Sequence, residues 1–429
     1  MRVALVNPPW SFERSIYFGC REPHLPLELG YARALLERDG HDVLMLDAHL
    51  FRQDMAELAT EVAAFQPNMT VIPTAPSYLF WRCAPPELRV PRALLVALDG
   101  RGGTTVAIGP HGSATPGATL RKLGADIAVR GESEQVIAAL ASGAPPEAVP
   151  GTAVLRCGEV RVNGPPQATR FTDVPALHWP SEWVRRHRHH HHRFDTTPDT
   201  PGAEVEASRG CPYSCSFCAK IDYRDRYRRR DLAPLIEEIE SLRAQGVTYL
   251  YFIDEIFLPH RALLEALVPL GLQFGVQTRI DLWTPELIAL LGRAGCVSIE
   301  AGVESLTEDG RAALDKKCRK TTNELAELLI LARRNVAFVQ ANLLSTAGDD
   351  PALVQPWRER LSRHGVWAND PVPLFPYPSA PDYRRLWGAP DDLAWERAHR
   401  HYLAQFDRFS DIQDETPLAL QELEAECLP

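Results

Sequence analysis

The chain has no apolar run approaching the roughly 18 residues that would span a bilayer, and its first residues, Met1-Arg2-Val3-Ala4-Leu5-Val6-Asn7, read as a strand and not as a secretory leader. A cytoplasmic location without a membrane partner is the expectation. There is no excess of basic charge either: 46 Lys+Arg against 56 Asp+Glu leave −10, so nucleic-acid binding would need a local basic patch. No Walker A sequence occurs. Gly100-Arg101-Gly102-Gly103 precedes its strand, whereas a dinucleotide fingerprint must follow one and open a helix. A phosphate-cradling glycine loop is thereby excluded. Nor is there a disulfide framework: six of nine cysteines (Cys20, Cys83, Cys157, Cys296, Cys318, Cys427) are scattered singly. Internal repeats are absent. With 45% hydrophobic and 24% charged residues, the composition excludes a disordered chain, a collagen-like fibre and a coiled coil. At about 150 residues per domain, 429 residues suggest two or three domains.

Two series of alternating strands and helices are present. The first has strands over 2–6, 41–46, 70–72, 104–108 and 126–129, with helices near 25–39, 51–65, 87–98, 115–123 and 133–141. That alternation predicts a parallel, doubly wound α/β sheet over residues 1–145, with ligands beyond the carboxyl ends of its strands. Four unusual segments fall there: Asn7-Pro8-Pro9, Thr74-Ala75-Pro76-Ser77, Gly109-Pro110-His111-Gly112 and Arg130-Gly131-Glu132. Since no phosphate loop is present, a flat or bulky cofactor is expected. Residues 146–200 are Pro-rich and read as a connection with one small hairpin near 153–155 and 160–162. It contains His187-Arg188-His189-His190-His191-His192, which reads as a metal-binding tract or as a solvated or substrate-facing basic loop. Strands over 203–207, 248–253, 273–278, 296–301, 337–343 and 366–368 alternate with five helices and predict a partial or full α/β barrel over 201–370, with its site at the carboxyl face. Residues 371–429 form a mainly helical region, expected to cap the barrel mouth through Tyr377, Tyr383, Trp387 and Trp395.

The strongest signal is Arg209-Gly210-Cys211-Pro212-Tyr213-Ser214-Cys215-Ser216-Phe217-Cys218, just after the first barrel strand. Three thiolates within eight residues suit one face of an iron–sulfur cube. With no fourth cysteine nearby, one metal corner stays open, the mark of a catalytic metal site. The competing reading is zinc held by the three cysteines and a histidine.

Cys211-x-x-x-Cys215-x-x-Cys218, with the aromatic Phe217 before the last cysteine, resembles the signature of radical S-adenosylmethionine (SAM) enzymes. The resemblance implies a partial (β/α)6 barrel and a [4Fe–4S] cluster whose open iron chelates SAM. It also implies an external electron donor of the flavodoxin or ferredoxin type and a 5′-deoxyadenosyl radical that abstracts hydrogen from substrate. It carries SAM contacts onto Phe217, onto Asp254 and Glu255 in Tyr251-Phe252-Ile253-Asp254-Glu255, and onto Gln277 and Arg279. Glu300, Gly302 and Glu304 in Ser298-Ile299-Glu300-Ala301-Gly302-Val303-Glu304 complete that set. The first half is similar to the Rossmann-like cobalamin-binding domain of the B12-dependent radical SAM class, through Val6-Asn7-Pro8-Pro9, Gly109-Pro110-His111 and Asp126-Ile127-Ala128-Val129-Arg130-Gly131-Glu132. By resemblance and strand-end position the cobalamin contacts are Asn7, Pro8, Pro9, Thr74, Ser77, Gly109, Pro110, His111 and Glu132. The Asp-x-His-x-x-Gly motif that brings a histidine to cobalt is missing; His111 is the only strand-end histidine in this set. Within the class the chain looks most like a branch associated with oligosaccharide or glycan biosynthesis.

The function implied is methylation of an unactivated carbon in a small-molecule, sugar or glycan substrate. Such a carbon is not nucleophilic, which is why cofactor radical chemistry is needed. A cobalamin-assisted cyclase, epimerase or rearrangement enzyme is the alternative; an iron–sulfur redox sensor is the alternative of another class. The basic run Arg224-Asp225-Arg226-Tyr227-Arg228-Arg229-Arg230 adjoins the cysteines and reads as a cofactor or substrate contact or a solvated turn, with nucleic acid the least favoured partner.

Overall fold

The computed structural model describes residues 1–16, 22–77, 84–188, 199–346, 348–405 and 416–425. His189 to His192, Cys20, Cys83 and Cys427 lie outside the described residues.

The first series builds a seven-stranded sheet. Its strands are β1 Arg2–Asn7, β2 Asp42–Asp47, β3 Met69–Pro73, β4 Thr104–Ile108, β5 Ile127–Val129, β6 Thr152–Arg156 and β7 Glu159–Asn163. They lie in the order β2-β1-β3-β4-β5-β6-β7. The first five are parallel and buried in runs such as Val3, Ala4, Leu5 and Val6, as expected for strands covered on both faces. The order reverses between β1 and β3, so the ligand crevice of a doubly wound sheet falls between their carboxyl ends. The hairpin β6–β7 pairs antiparallel with β5. The sheet therefore runs beyond residue 145, and the stretch read as a linker supplies two of its strands. Alternation in 152–163 marked a hairpin, but only the open edge of β5 decides what it pairs with.

The second series forms an all-parallel six-stranded barrel sheet. Its strands are β8 Gly202–Val205, β11 Tyr249–Phe252, β12 Gln273–Thr278, β13 Cys296–Glu304, β14 Phe338–Leu343 and β15 Trp367–Ala368, neighbours in that order. Between β8 and β11 a short antiparallel pair, β9 Ser208–Arg209 and β10 Arg228–Arg229, closes the base of the cysteine loop. The barrel lining is polar: Tyr249 Oη lies 3.3 Å from Ser298 Oγ and Tyr251 Oη 3.5 Å from Glu300 Oε1. Gly275 sits in this lining because a Cβ there would meet Tyr249 Oη at 2.2 Å. Local start signals behave as their chemistry requires. Thr284 Oγ1 accepts from Leu287 N, and Thr321 and Glu324 form a reciprocal capping box.

The C-terminal region departs from the expected barrel cap. Phe375, Tyr383, Trp395, Tyr402 and Leu420 join the core of the first domain with Val3, Leu5, Val106 and Ile137. Trp395 stacks on His111 at 4.3 Å and donates to Thr115 Oγ1 at 3.0 Å, and Lys122 bridges Glu396 and Glu424. The same region reaches the cysteine loop, where Asp382 N donates to Ser216 O at 2.9 Å and Ser216 Oγ to Asp382 Oδ2 at 3.0 Å. It is a strap between the first domain and the loop. An aromatic cluster reads alike in sequence whether it covers a barrel or a sheet.

Trp395 is 4% exposed, whereas Leu393, two residues away, is 61% exposed. Trp395→Ala is expected to lower unfolding free energy by about 3–5 kcal/mol. Leu393→Ala should change it by no more than about 0.5 kcal/mol, both read by chemical denaturation.

Candidate active site

Cys211, Cys215 and Cys218 lie on the loop between β9 and β10, half-buried and with free thiols. Gly210 turns the chain into the loop at φ +78°, and a Cβ there would meet the Arg226 carbonyl oxygen at 2.1 Å, so only glycine fits. Cys218 N donates to Cys215 O at 3.1 Å, and Lys220 Nζ donates to the carbonyls of Cys211 and Asp225 at 2.9 and 3.1 Å. Ser216 N is held by Leu314 O at 2.9 Å. Loop geometry is thereby tied to the barrel, to its own return strand and to the C-terminal strap.

Burial, and then the two neighbouring thiols, push Cys218 up to about 12. Burial likewise raises Cys211 and Cys215. The three sulfurs thus act on one another, as ligands of a single metal group must, and a cation placed among them would relieve the same repulsion. Lys220 acts on Cys211; Lys316, Glu304 and Arg279 act on Cys215. The donor set fits a cluster held at three corners: of the other described cysteines, Cys157 is exposed, Cys296 is buried in the barrel core and Cys318 bonds the Lys320 carbonyl.

Of the residues expected at SAM, two acids do a different task. Asp254 accepts from Ala207 N at 2.8 Å and from Ser208 Oγ, and burial raises it well above the usual carboxylate range. Glu255 accepts from Gly210 N at 2.7 Å and from Arg224 at 3.0 Å. Both grip the segment that enters the cysteine loop. Arg279 pairs with Asp281, donates to Lys316 O at 2.6 Å and lies 4.0 Å over the Tyr213 ring. Glu304 sits in the left-handed region at φ +65° beside a register shift in β13 and pairs with Lys316. A Cβ on Gly302 would meet Glu304 Oε1 at 2.3 Å. Arg279, Glu304 and Lys316 therefore gather at Cys215, on the side of the loop facing β12 and β13. Gln277 is half-buried with a buried Oε1 that makes no hydrogen bond, Glu300 is half-buried beside Tyr251, and Phe217 is half-buried in the loop.

Sequence reading missed the feature that joins the two halves. Arg209 is fully buried; it donates to Glu132 and Glu134 at 2.9 and 2.8 Å and to Glu206 at 2.7 Å. Arg224 donates to Glu206, Glu255 and Glu28 at 2.9, 3.0 and 2.8 Å, and Arg228 to Glu132 at 2.5 Å. Five carboxylates (Glu28, Glu132, Glu134, Glu206, Glu255) thus face three guanidiniums. Burial raises Glu28 to about 7 and lifts Glu255 as well. Against burial, Arg209 and Arg224 hold Glu206 down to about 2. Burial thus works against the charged forms of Glu28 and Glu255, while the guanidiniums beside them favour those forms. The basic run 224–230 is accordingly not a solvated turn at Arg224, Arg228 or Arg230; the last pairs with Glu238 at 2.6 Å. The legible sign was the pairing of an acidic Glu132-Ser133-Glu134 with a basic run, but nothing in the sequence set them side by side.

Glu132, expected at cobalamin, has its oxygens taken by Arg209, Arg228 and Thr169 N. Asn7 bonds Asp47 and Trp10 at 2.9 and 2.8 Å, Ser77 bonds Glu28, Pro8 is buried and Pro9 half-buried. Thr74 and Gly109 do meet at the carboxyl ends of β3 and β4, where Thr74 N donates to Ile108 O at 2.8 Å. Thr74 Oγ1 is buried there without a hydrogen bond among the described residues, and Gly109 at φ +114° leads into Pro110. This buried hydroxyl beside the switch-point crevice fits a large polar cofactor. His111 is fully buried and stacked on Trp395, and burial keeps its ring neutral down to about pH 3.

Residues 205–342 match the radical SAM superfamily model, so the chain carries a radical SAM domain behind its doubly wound domain. It is 24% identical over 327 residues to an uncharacterised methyltransferase of Pyrococcus horikoshii, covering 71% of this chain and 66% of that protein. It is 27% identical over 336 residues to the hopanoid C-3 methylase of Methylococcus capsulatus, covering 75% of this chain and 61% of that protein. The chain therefore spans slightly less than two thirds of the length of these relatives. The solved structure of the radical SAM methyltransferase TsrM from Kitasatospora setae, with cobalamin and a [4Fe–4S] cluster bound, superposes with a TM-score of 0.70 at 20% identity, over 89% of this chain and 73% of that one. The two domains of this chain therefore share the fold of that cobalamin-bound methyltransferase.

Removing Arg209 strands buried carboxylates, so Arg209→Met should cost about 3–5 kcal/mol in a denaturant titration. A second outcome concerns pH. The folded apo chain keeps the Cys218 proton up to about 12, whereas an unfolded thiol loses it near ~8.5. This stability contribution is complete below ~8.5 and is lost as pH rises through that window. Relative to Cys218→Ala, the metal-free wild type should weaken above pH 8.5, by at most on the order of 1 kcal/mol per pH unit. Anaerobic denaturation at pH 8, 9 and 10 measures the slope.

Proposed function

We propose that this chain is a cobalamin-dependent radical SAM enzyme that methylates an unactivated carbon of a small-molecule or sugar/glycan substrate. The observation that carries the reading is the loop of three thiols at Cys211, Cys215 and Cys218, beside a doubly wound sheet where the buried Thr74 hydroxyl makes no hydrogen bond among the described residues. When bound, the cluster and cobalamin supply one-electron cleavage of SAM and methyl transfer to carbon.

The chain's own residues supply position. Cys211, Cys215 and Cys218 hold the cluster. Arg279, Lys316 and Glu304 lie beside Cys215; with Gln277 and Glu300 they offer the polar groups for SAM, and Gly302 keeps that end of β13 open. Asp254 and Glu255 act as positioning residues for the loop. Thr74, Gly109 and Pro110 border the cobalamin crevice. The buried arginine network holds the two domains together and excludes water between them. The electron donor is an external flavodoxin- or ferredoxin-type protein, and the site of action is the cytoplasm. No described helix is long and apolar enough to cross a membrane.

Anaerobic reconstitution with iron, sulfide and cobalamin is expected to give about four irons per chain and a cobalamin spectrum. Mass spectrometry should then find S-adenosylhomocysteine together with 5′-deoxyadenosine. Deoxyadenosine alone would favour a cobalamin-assisted rearrangement or cyclisation, and zinc in place of iron would defeat both readings. Replacing any one of the three loop cysteines by Ala should abolish SAM cleavage.

A further inference from the structure

Away from the cysteine loop, two histidines and a glutamate converge on a dry joint between the domains. His24 lies just before the helix Leu27–Arg38, His187 just after the helix Ser181–Arg186, and Glu204 within β8. Their side chains are 4%, 0% and 0% exposed. One ligand atom from each lies within 4.8 Å of the others. Glu204 Oε1 is 2.5 Å from His24 Nδ1; Oε2 is 3.0 Å from Leu25 N and 3.3 Å from His187 Nε2.

The decisive contact is the last one. His187 Nδ1 lies 2.5 Å from the Gly202 carbonyl oxygen. A carbonyl only accepts, so that nitrogen carries the hydrogen. Nε2 of the same ring lies 3.3 Å from Glu204 Oε2 and makes no hydrogen bond among the described residues. A ring nitrogen and a carboxylate oxygen facing each other in a buried site call for a positive centre between them. Zinc bonds of ~2.0–2.1 Å at the tetrahedral angle set ligand atoms ~3.3 Å apart, the separation found here. A histidine whose Nδ1–H is held by a backbone carbonyl is also the arrangement that orients ligating imidazoles. Charge agrees as well. Asp47 is buried, its Oδ1 is held by Asn7 and Leu50 N, its Oδ2 makes no hydrogen bond, and His187 acts on it. Burial raises Asp47 to about 6, and a cation nearby would draw it toward its charged form.

We propose that His24, His187 and Glu204 bind a divalent cation of the zinc type, separate from the cysteine-bound metal, which pins the first domain, the connection and the barrel at one point. Binding displaces the proton shared by His24 and Glu204 to solvent. The proposal stands apart from the proposed reaction, because it needs neither SAM nor cobalamin.

The test uses the full chain carrying Cys211→Ala, Cys215→Ala and Cys218→Ala, so that no loop thiolate competes, with Zn²⁺ as probe. One zinc per chain should survive dialysis, by elemental analysis, and chelator should lower the melting temperature until Zn²⁺ restores it. His187→Gln and Glu204→Gln should each weaken zinc by more than the ~10–100-fold typical of outer-shell partners. Asp47→Asn, which leaves the three ligands in place, should weaken it about tenfold with an unchanged far-ultraviolet spectrum; this keeps the test decisive where a ligand variant fails to fold. Failure of the thiol-free chain to retain stoichiometric zinc, or wild-type affinity in His187→Gln, overturns the site and shows that a proton fills the gap.

Discussion

The architecture depends on one buried guanidinium. Arg209 immediately precedes the glycine turn into the cysteine loop, yet its partners Glu132 and Glu134 belong to the far end of the first sheet. A charge with no exposure is tolerable only when its partners are fixed around it, so the loop, β8 and the first domain must meet in one register. Arg224 and Arg228 repeat the constraint from the returning side of the loop. The loop is thus gripped on both flanks by carboxylates of the other domain, and a shift of either domain would leave ions unpaired in a dry interior.

That grip explains why Asp254 and Glu255 face the loop backbone. A metal-binding loop without regular structure must have its own amides and hydroxyls satisfied, or it would not hold three thiols at one spacing. Ala207 N, Ser208 Oγ and Gly210 N find those partners on the strand next door. On the other side, Arg279 after β12, Glu304 at the end of β13 and Lys316 beyond it act on Cys215.

The C-terminal strap adds a second tie. Through Trp395 it completes the first domain's core and seals His111, and through Asp382 it holds Ser216 within the cysteine loop. A change in packing on the first domain is thereby felt at the loop.

Local chemistry could be read from the chain alone. Strand–helix alternation defined two α/β units, the spacing of Cys211, Cys215 and Cys218 pointed to metal chemistry, and Thr284 and Thr321 marked helix starts, because each signal is carried by neighbours within a few residues. What lies far apart in sequence was decided by the tertiary structure. The edge of β5 recruited β6 and β7 into the sheet, the Pro/aromatic C-terminus turned to the first domain, and Glu132 turned from a cofactor to Arg209. His24, His187 and Glu204 likewise meet only after 180 residues of chain have folded. Which carboxylate pairs with which cation depends on burial and proximity, and these exist only once the sheets have packed.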